Sequence, residues 1–222
     1  MAEQTVDQML DAGASCLQYF QTMLDLAKEV SLKQWPDWRD HVCRNYDNER
    51  GVDLASLRGD AVMLRLQATA ARQAVTDQAA ARTRVQTAWP DNAGTNAVTT
   101  LNAHQLRSEP VATTMANTAT AAEAVPDAVV TAVSTKVADL KEFDPANVSS
   151  DRRLLMAAVR KVSLQAKWGD KQAAAAVERF EAQLAKDLAR FDEVVATASS
   201  AIQAAYATVP EAAKGIDSSA FP

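Results

Sequence analysis

The chain has 222 residues, enough for one substantial domain with a helical extension, and its net charge of -5 sets nucleic acid aside as a partner, because phosphate neutralisation needs a basic face. Apolar residues make up 48% but aromatics only 5%, and much of the apolar share is alanine, the best helix former and a small contributor of buried surface. This composition excludes a thick globular centre and predicts an all-α fold, an elongated helical bundle of narrow, closely spaced seams built on a long antiparallel helical hairpin.

Taken in chain order, residues 1–50 read as an N-terminal helical extension. The spacing of Met9, Leu10, Gly13, Leu17, Phe20, Leu24 and Ala27 predicts a helix from about Thr5 to Leu32. Gly13 is its weak point and the place where a neighbour can approach closely. Trp35-Pro36-Asp37-Trp38 breaks this helix, and Asp37 to Tyr46 is read as a short second one. The run Asn45 to Gly51 is the linker candidate. Cys16 and Cys43 read as small buried hydrophobes, with a disulfide between them as the alternative.

Residues 51–145 form the long hairpin. Leu54, Leu57, Ala61, Leu64, Ala68, Ala71 and Val75 alternate steps of three and four, the seam of a coiled coil. Gln78 and Arg82 interrupt it, and Val85 and Trp89 resume its register. The reading is a helix of about ten turns ending at Trp89, placed on the buried face as a plug for the turn. Asp91 or Asn92 caps the next helix, and Gly94 and Ala97 lie where two backbones must approach. Ala97, Leu101, His104 and Ser108 continue that face. Pro110 and Pro126 predict kinks or short breaks, with Ser108 as a new cap. Arg58, Arg65, Arg72, Arg82 and Arg84 have the spacing of a solvated helix side.

Residues 146–210 are read as C-terminal helices packing on the hairpin. Ser150 is the cap, and Leu154, Leu155, Ala158, Val159 and Val162 the first apolar face. A second long helix, ending near Pro210, carries Val177, Phe180, Leu184, Leu188, Phe191, Val195, Ala198, Ile202 and Ala205. Residues 211–222 are read as a loose tail. Every tryptophan opens a Trp-x-Asp, at 35, 38, 89 and 168. The favoured explanation is a Trp plugging a helix end while the acid favours the next helix's N-terminus.

No catalytic constellation emerges. There is no glycine-flanked nucleophile and no phosphate-cradling loop. With His41 and His104 the sole histidines, metal-ligand spacing is absent, so no catalytic residue, metal or cofactor is expected. Glu178, Glu181, Asp187, Asp192 and Glu193 interleave with Lys186 and Arg190 as solvated ion-pair partners. Trp35, Trp38, His41 and Tyr46 form the densest cluster, read as a satellite core or as a ligand or partner surface. No apolar run reaches the roughly 20 residues of a membrane span. The start of the sequence lacks a signal peptide's basic and apolar regions, so any export is expected by another route.

The stretch from about Leu54 to Leu140, with Trp89, Asp91, Ala93, Gly94 and Ala97 at its turn, resembles the Trp-x-Gly (WXG) family and its longer PPE-like relatives. Those are actinobacterial substrates of type VII (ESX) secretion. The chain departs from the family in carrying Asp91 where the family has glycine, and none of its tyrosines opens a Tyr-x-x-x-Asp/Glu signal. The resemblance implies a non-catalytic protein acting by helix-face association with another helical protein or itself, with a secretion ATPase or chaperone as a further partner. It implies a secreted or cell-envelope location, and Trp89, Asp91, Gly94 and Ala97 as the export-related turn. The alternatives are a cytoplasmic helical adaptor or chaperone, and a bundle that binds a hydrophobic ligand.

Overall fold

A computed structural model describes residues 4–31, 33–165 and 171–215, leaving aside the side chains of 163–165 and 171–172. Among them the fold is all-α, a helical bundle with no strand. The elements are α1 (Val6–Gly13), α2 (Cys16–Val30), a π-helical turn (Trp38–Cys43) running into a single α-turn, α3 (Arg44–Tyr46), then α4 (Leu54–Ala88), α5 (Asn92–Leu140), a 3-10 turn (Lys141–Phe143), α6 (Ser150–Gln165) and α7 (Lys171–Ala212). The chain divides into two units, Met1–Asp53 with Val130–Ala201, and Leu54–Val129 with Ile202–Pro222.

The first unit holds the aromatic core. Phe20 packs against Tyr19, Phe143 and Phe191 with ring centroids 5.4, 4.7 and 5.1 Å away, within the range at which aromatic pairs add to area burial. Phe180, Leu184, Leu188 and Phe191 of α7 are buried at the expected three- and four-residue steps. The first helix is divided, with α1 ending at Gly13. A β-carbon there would meet Tyr46 Oη at 2.5 Å and Val137 Cγ1 at 2.7 Å, so glycine serves the close approach that its position predicts. Thr5 opens α1 with a reciprocal capping box to Gln8, which satisfies two otherwise orphan donors.

The second unit contains the hairpin. As the α4 residue moves toward the turn (Arg58, Arg65, Gln78, Arg82), its hydrogen-bonded partner on α5 moves back (Asp127, Glu123, His104, Asn102). That is the antiparallel register. Leu54, Leu57, Ala61, Leu64, Ala68, Ala71 and Val75 are all buried or half-buried, and most residues between them are exposed. Ala68, Ala116 and Ala119 form the buried cluster of the seam, flanked by Leu64 and Met115. Small residues at these positions permit a close approach of the two backbones.

Three expectations need correction. α5 runs unbroken through Pro110 and Pro126. Each proline forgoes a backbone bond, about 3 kcal/mol in an isolated helix, but Val111, Ala112 and Ala116 beyond the first and Val125 and Val129 around the second are buried, and tertiary packing outweighs the local loss. Ser108 accordingly caps nothing: its hydroxyl donates back to the His104 carbonyl at 2.7 Å. Leu154, assigned to the apolar face of α6, is exposed, because the α6 face that packs is centred on Val159.

Candidate functional site

The hairpin turn is built from its backbone upward. α4 closes with Trp89 N donating to the Val85 carbonyl at 2.9 Å. Asp91 then caps α5, its carboxylate accepting from Gly94 N at 2.9 Å, a short acid at a helix N-terminus where orphan donors and the dipole both favour it. Gly94 is buried, and a β-carbon on it would lie 1.8 Å from the Trp89 carbonyl oxygen. Ala97 follows half-buried on the same helix. The placement of Trp89 as a buried plug is corrected: its residue surface is 50% exposed. The seam register continues to Val85, but the chain leaves the helix at Trp89, so the indole stands at the turn with less helix surface to cover it.

Below the turn the seam carries a polar layer. Gln78 Nε2 donates to His104 Nδ1 at 2.7 Å, and Arg82 Nη1 donates to Asn102 Oδ1 at 2.6 Å and Gln105 Oε1 at 3.1 Å. The two residues that interrupt the apolar heptads therefore pair across the hairpin. Polar seam positions of this kind fix register at some cost in stability.

The N-terminal tryptophan cluster is distributed among separate partners. Trp35 Nε1 donates to Ser31 Oγ at 3.1 Å, and Trp38 Nε1 to the Leu17 carbonyl at 3.2 Å. His41 Nε2 lies 2.8 Å from Asp192 Oδ1. Tyr46 is fully buried and donates to the Leu10 carbonyl at 2.7 Å. Asp37 caps the π-helical turn by accepting from Arg39 N and Asp40 N, and these two bonds hold its carboxyl below the usual range. Asp37 and Asp91 thus both follow a Trp-x pair and both cap. Asp40 lies inside the π-helical turn, and Trp168-Gly169-Asp170 lies outside the described residues.

Two clusters of buried charged groups were missed by the sequence reading. Lys136 of α5 has no exposed side-chain surface and pairs with Glu49, while its Nζ also donates to the Tyr46 carbonyl at 2.8 Å. Glu49 belongs to the polar run read as a linker. Asp187, read as a solvated partner on α7, is 1% exposed. It accepts from Tyr19 Oη, from Arg152 Nη2 at 2.7 Å and from Gln183 Nε2 at 2.8 Å. The Arg152 guanidinium also lies 4.8 Å from the Phe143 ring centroid. The α7 periodicity carries a weak signal for this: Asp187 falls one residue before Leu188 and three after Leu184, on the buried stripe.

Cys16 and Cys43 are free thiols. Burial, with the nearby Asp144 charge, pushes the Cys16 thiol up to about 12, and burial also raises Cys43. Neither environment favours the thiolate that nucleophilic chemistry requires. Among the described residues no group of three or more His, Cys, Asp or Glu side chains is placed to hold a metal ion, and no helix is long and apolar enough to cross a membrane. Comparison with protein-family models, with curated proteins and with solved structures gave no match.

Proposed function

We propose that the chain is a non-catalytic protein of type VII (ESX) secretion, a secreted or envelope factor that works by helix-face association. The observation that carries this reading is an uncovered apolar stripe on α4, turned away from the seam. Val62, Met63 and Leu66 are 57%, 56% and 58% exposed. Gly59 and Ala70 extend the stripe by one turn at each end, both exposed. Clustered large apolar side chains on a polar helix surface mark association sites more often than isolated ones do. The stripe fits an apolar helix face laid along it, as in helix-in-groove recognition. The secretion assignment draws on the resemblance at the turn, where Trp89 stands half exposed and accessible to a recognising partner.

The test uses an actinobacterial host with an active type VII system. Wild-type chain is expected in the culture filtrate or envelope fraction, and to co-purify with a helical partner. Val62→Gln with Leu66→Gln should abolish co-purification, and Trp89→Ala should abolish export, both with helix content unchanged. An exclusively cytosolic chain would point to the adaptor reading instead. Export and partner capture indifferent to both sets of substitutions would overturn the proposal.

A further inference from the structure

We infer that the groove between α2 and α6 is a binding site for an anionic single-chain amphiphile, an alkyl phosphate or carboxylate taken up as a monomer. The groove is open along one side and holds about 600 Å³, inside the usual range of roughly 300–1,000 Å³ for small-molecule sites. Its α6 wall is made by Arg153, Met156, Ala157 and Arg160, which follow one another at i, i+3, i+4 and i+7 and so form one helix face. Gln18, Tyr19 and Thr22 supply the α2 side, and Val148 completes the lining.

The charge of the groove argues for an anion. Arg153 is held by three backbone carbonyls, its Nε donating to Val148 at 2.9 Å and its Nη2 to Ala146 at 3.1 Å and Pro145 at 3.4 Å. Carbonyls orient a guanidinium without neutralising it, so a fixed cation faces the groove. Neither Arg153 nor Arg160 makes an ion pair among the described residues. No carboxylate side chain lines the groove, and the buried Asp187 is already taken by Arg152, Tyr19 and Gln183. Two arginines on one α6 face, without an ion pair among the described residues, give the groove a local positive potential on a chain whose net charge is -5.

The spacing argues for an anion with a tail. Arg153 and Arg160 are two helical turns apart, about 10.5 Å along the axis. Met156 and Ala157 lie between them on the same α6 face and form an apolar floor, with Tyr19 also in the lining. A head group on one guanidinium places an alkyl chain along this apolar floor. A flexible thioether such as Met156 adapts to chains of differing shape. A small hydrophilic anion would leave the floor unused.

The probe is dodecyl phosphate below its micellar concentration, titrated calorimetrically into the whole chain. Saturable one-to-one binding is expected, at least about 10-fold tighter than dodecyltrimethylammonium and than inorganic phosphate. Arg160→Gln should weaken it roughly 10-fold, the loss of one charge-assisted contact. Arg160→Lys should recover part of that loss, and Lys161→Gln should change nothing. Ala157→Trp fills the floor and should abolish binding with Arg160 intact. Equal binding of the cationic amphiphile, binding matched by inorganic phosphate, or indifference to both Arg160→Gln and Ala157→Trp would overturn the inference. So would binding to phosphatidylglycerol vesicles with none to the monomer, since that reads a surface and not a site.

Discussion

The carbonyl oxygen of Trp89 lies 1.8 Å from the point where a β-carbon on Gly94 would sit. The turn between α4 and α5 is thus closed by backbone against backbone, with Asp91 bridging to Gly94 N, while the indole itself is half exposed. Gly94→Ala must push the turn open. The expected cost is about 1–3 kcal/mol, the usual scale of overpacking, read by urea denaturation. Gly59→Ala, at a position with nothing within 4 Å, should instead stabilise α4 by about 0.5–1 kcal/mol. Trp89→Ala should cost less than Gly94→Ala. The reverse order would restore the indole as the plug.

Gly13 poses the same test in the other unit. An alanine there collides with Tyr46 Oη and Val137 Cγ1, so Gly13→Ala should destabilise by about 1–3 kcal/mol. Val137→Ala opens one of the two contacts, and the double variant should be more stable than the sum of the single effects predicts. A coupling of about 0.5 kcal/mol or more is expected between touching residues. Strict additivity would mean that the contact is relieved without cost.

What was legible in the sequence follows from what periodicity encodes. The α4 seam, the α7 stripe and the small residues at Gly13 and Gly94 were readable because helix geometry repeats every 3.6 residues and close approach needs glycine. Trp89 was misplaced because register alone does not say where the covering helix ends. Of the kink or short break expected at Pro110 and Pro126, the break is absent for a related reason: propensity is local, and the packing that overrides it is not. Lys136 with Glu49, and Asp187 with Arg152 and Tyr19, join residues 87, 35 and 168 positions apart. No local pattern records such pairs. The α2–α6 groove escaped for the same reason, since its two walls come from separate helices.

The Lys136–Glu49 pair predicts an asymmetry. Both groups are almost wholly buried, so removing one leaves the other charged without its counter-charge. Lys136→Met or Glu49→Gln should cost about 3–5 kcal/mol. The double replacement should be markedly less damaging than either single change, because it also removes the desolvation penalty. The measurement is a double-mutant cycle by denaturant unfolding. Additive single effects would mean that the pair is not coupled.

Alkaline pH should destabilise the first unit. Burial raises the Cys16 thiol from 9.0 to about 12, and burial with the hydrogen bond to Asp187 raises Tyr19 above its ordinary value near 10. In the unfolded chain these protons leave at their ordinary values, while the folded chain still holds them. The folded state then binds more protons, and stability falls as pH rises. The contribution is complete below pH 9 and is lost between about 9 and 12 for Cys16. The slope should reach about 1.4 kcal/mol per pH unit for each fully differing group. Cys16→Ala should flatten the lower part of that fall and Tyr19→Phe the upper part; unchanged slopes in both would refute this account.

The alanine seam sets a final prediction on size. Ala68 is 2% exposed between Ala116 and Ala119, at 4% and 0%, so the α4–α5 spacing is fixed by methyl groups. Ala68→Leu brings more apolar surface, which on transfer alone would stabilise, but its site is already closed by Ala116 and Ala119, with Leu64 and Met115 packed against them. Overpacking should win, at about 1–3 kcal/mol, and force the helices apart around Ala116 and Ala119. Leu66→Gln, two residues away on the exposed side, should stay within about 0.5 kcal/mol of wild type. Helix content followed through urea unfolding reads both. If Ala68→Leu stabilised the chain and Leu66→Gln unfolded it, the buried and open faces of α4 would have to be exchanged, and the association surface with them.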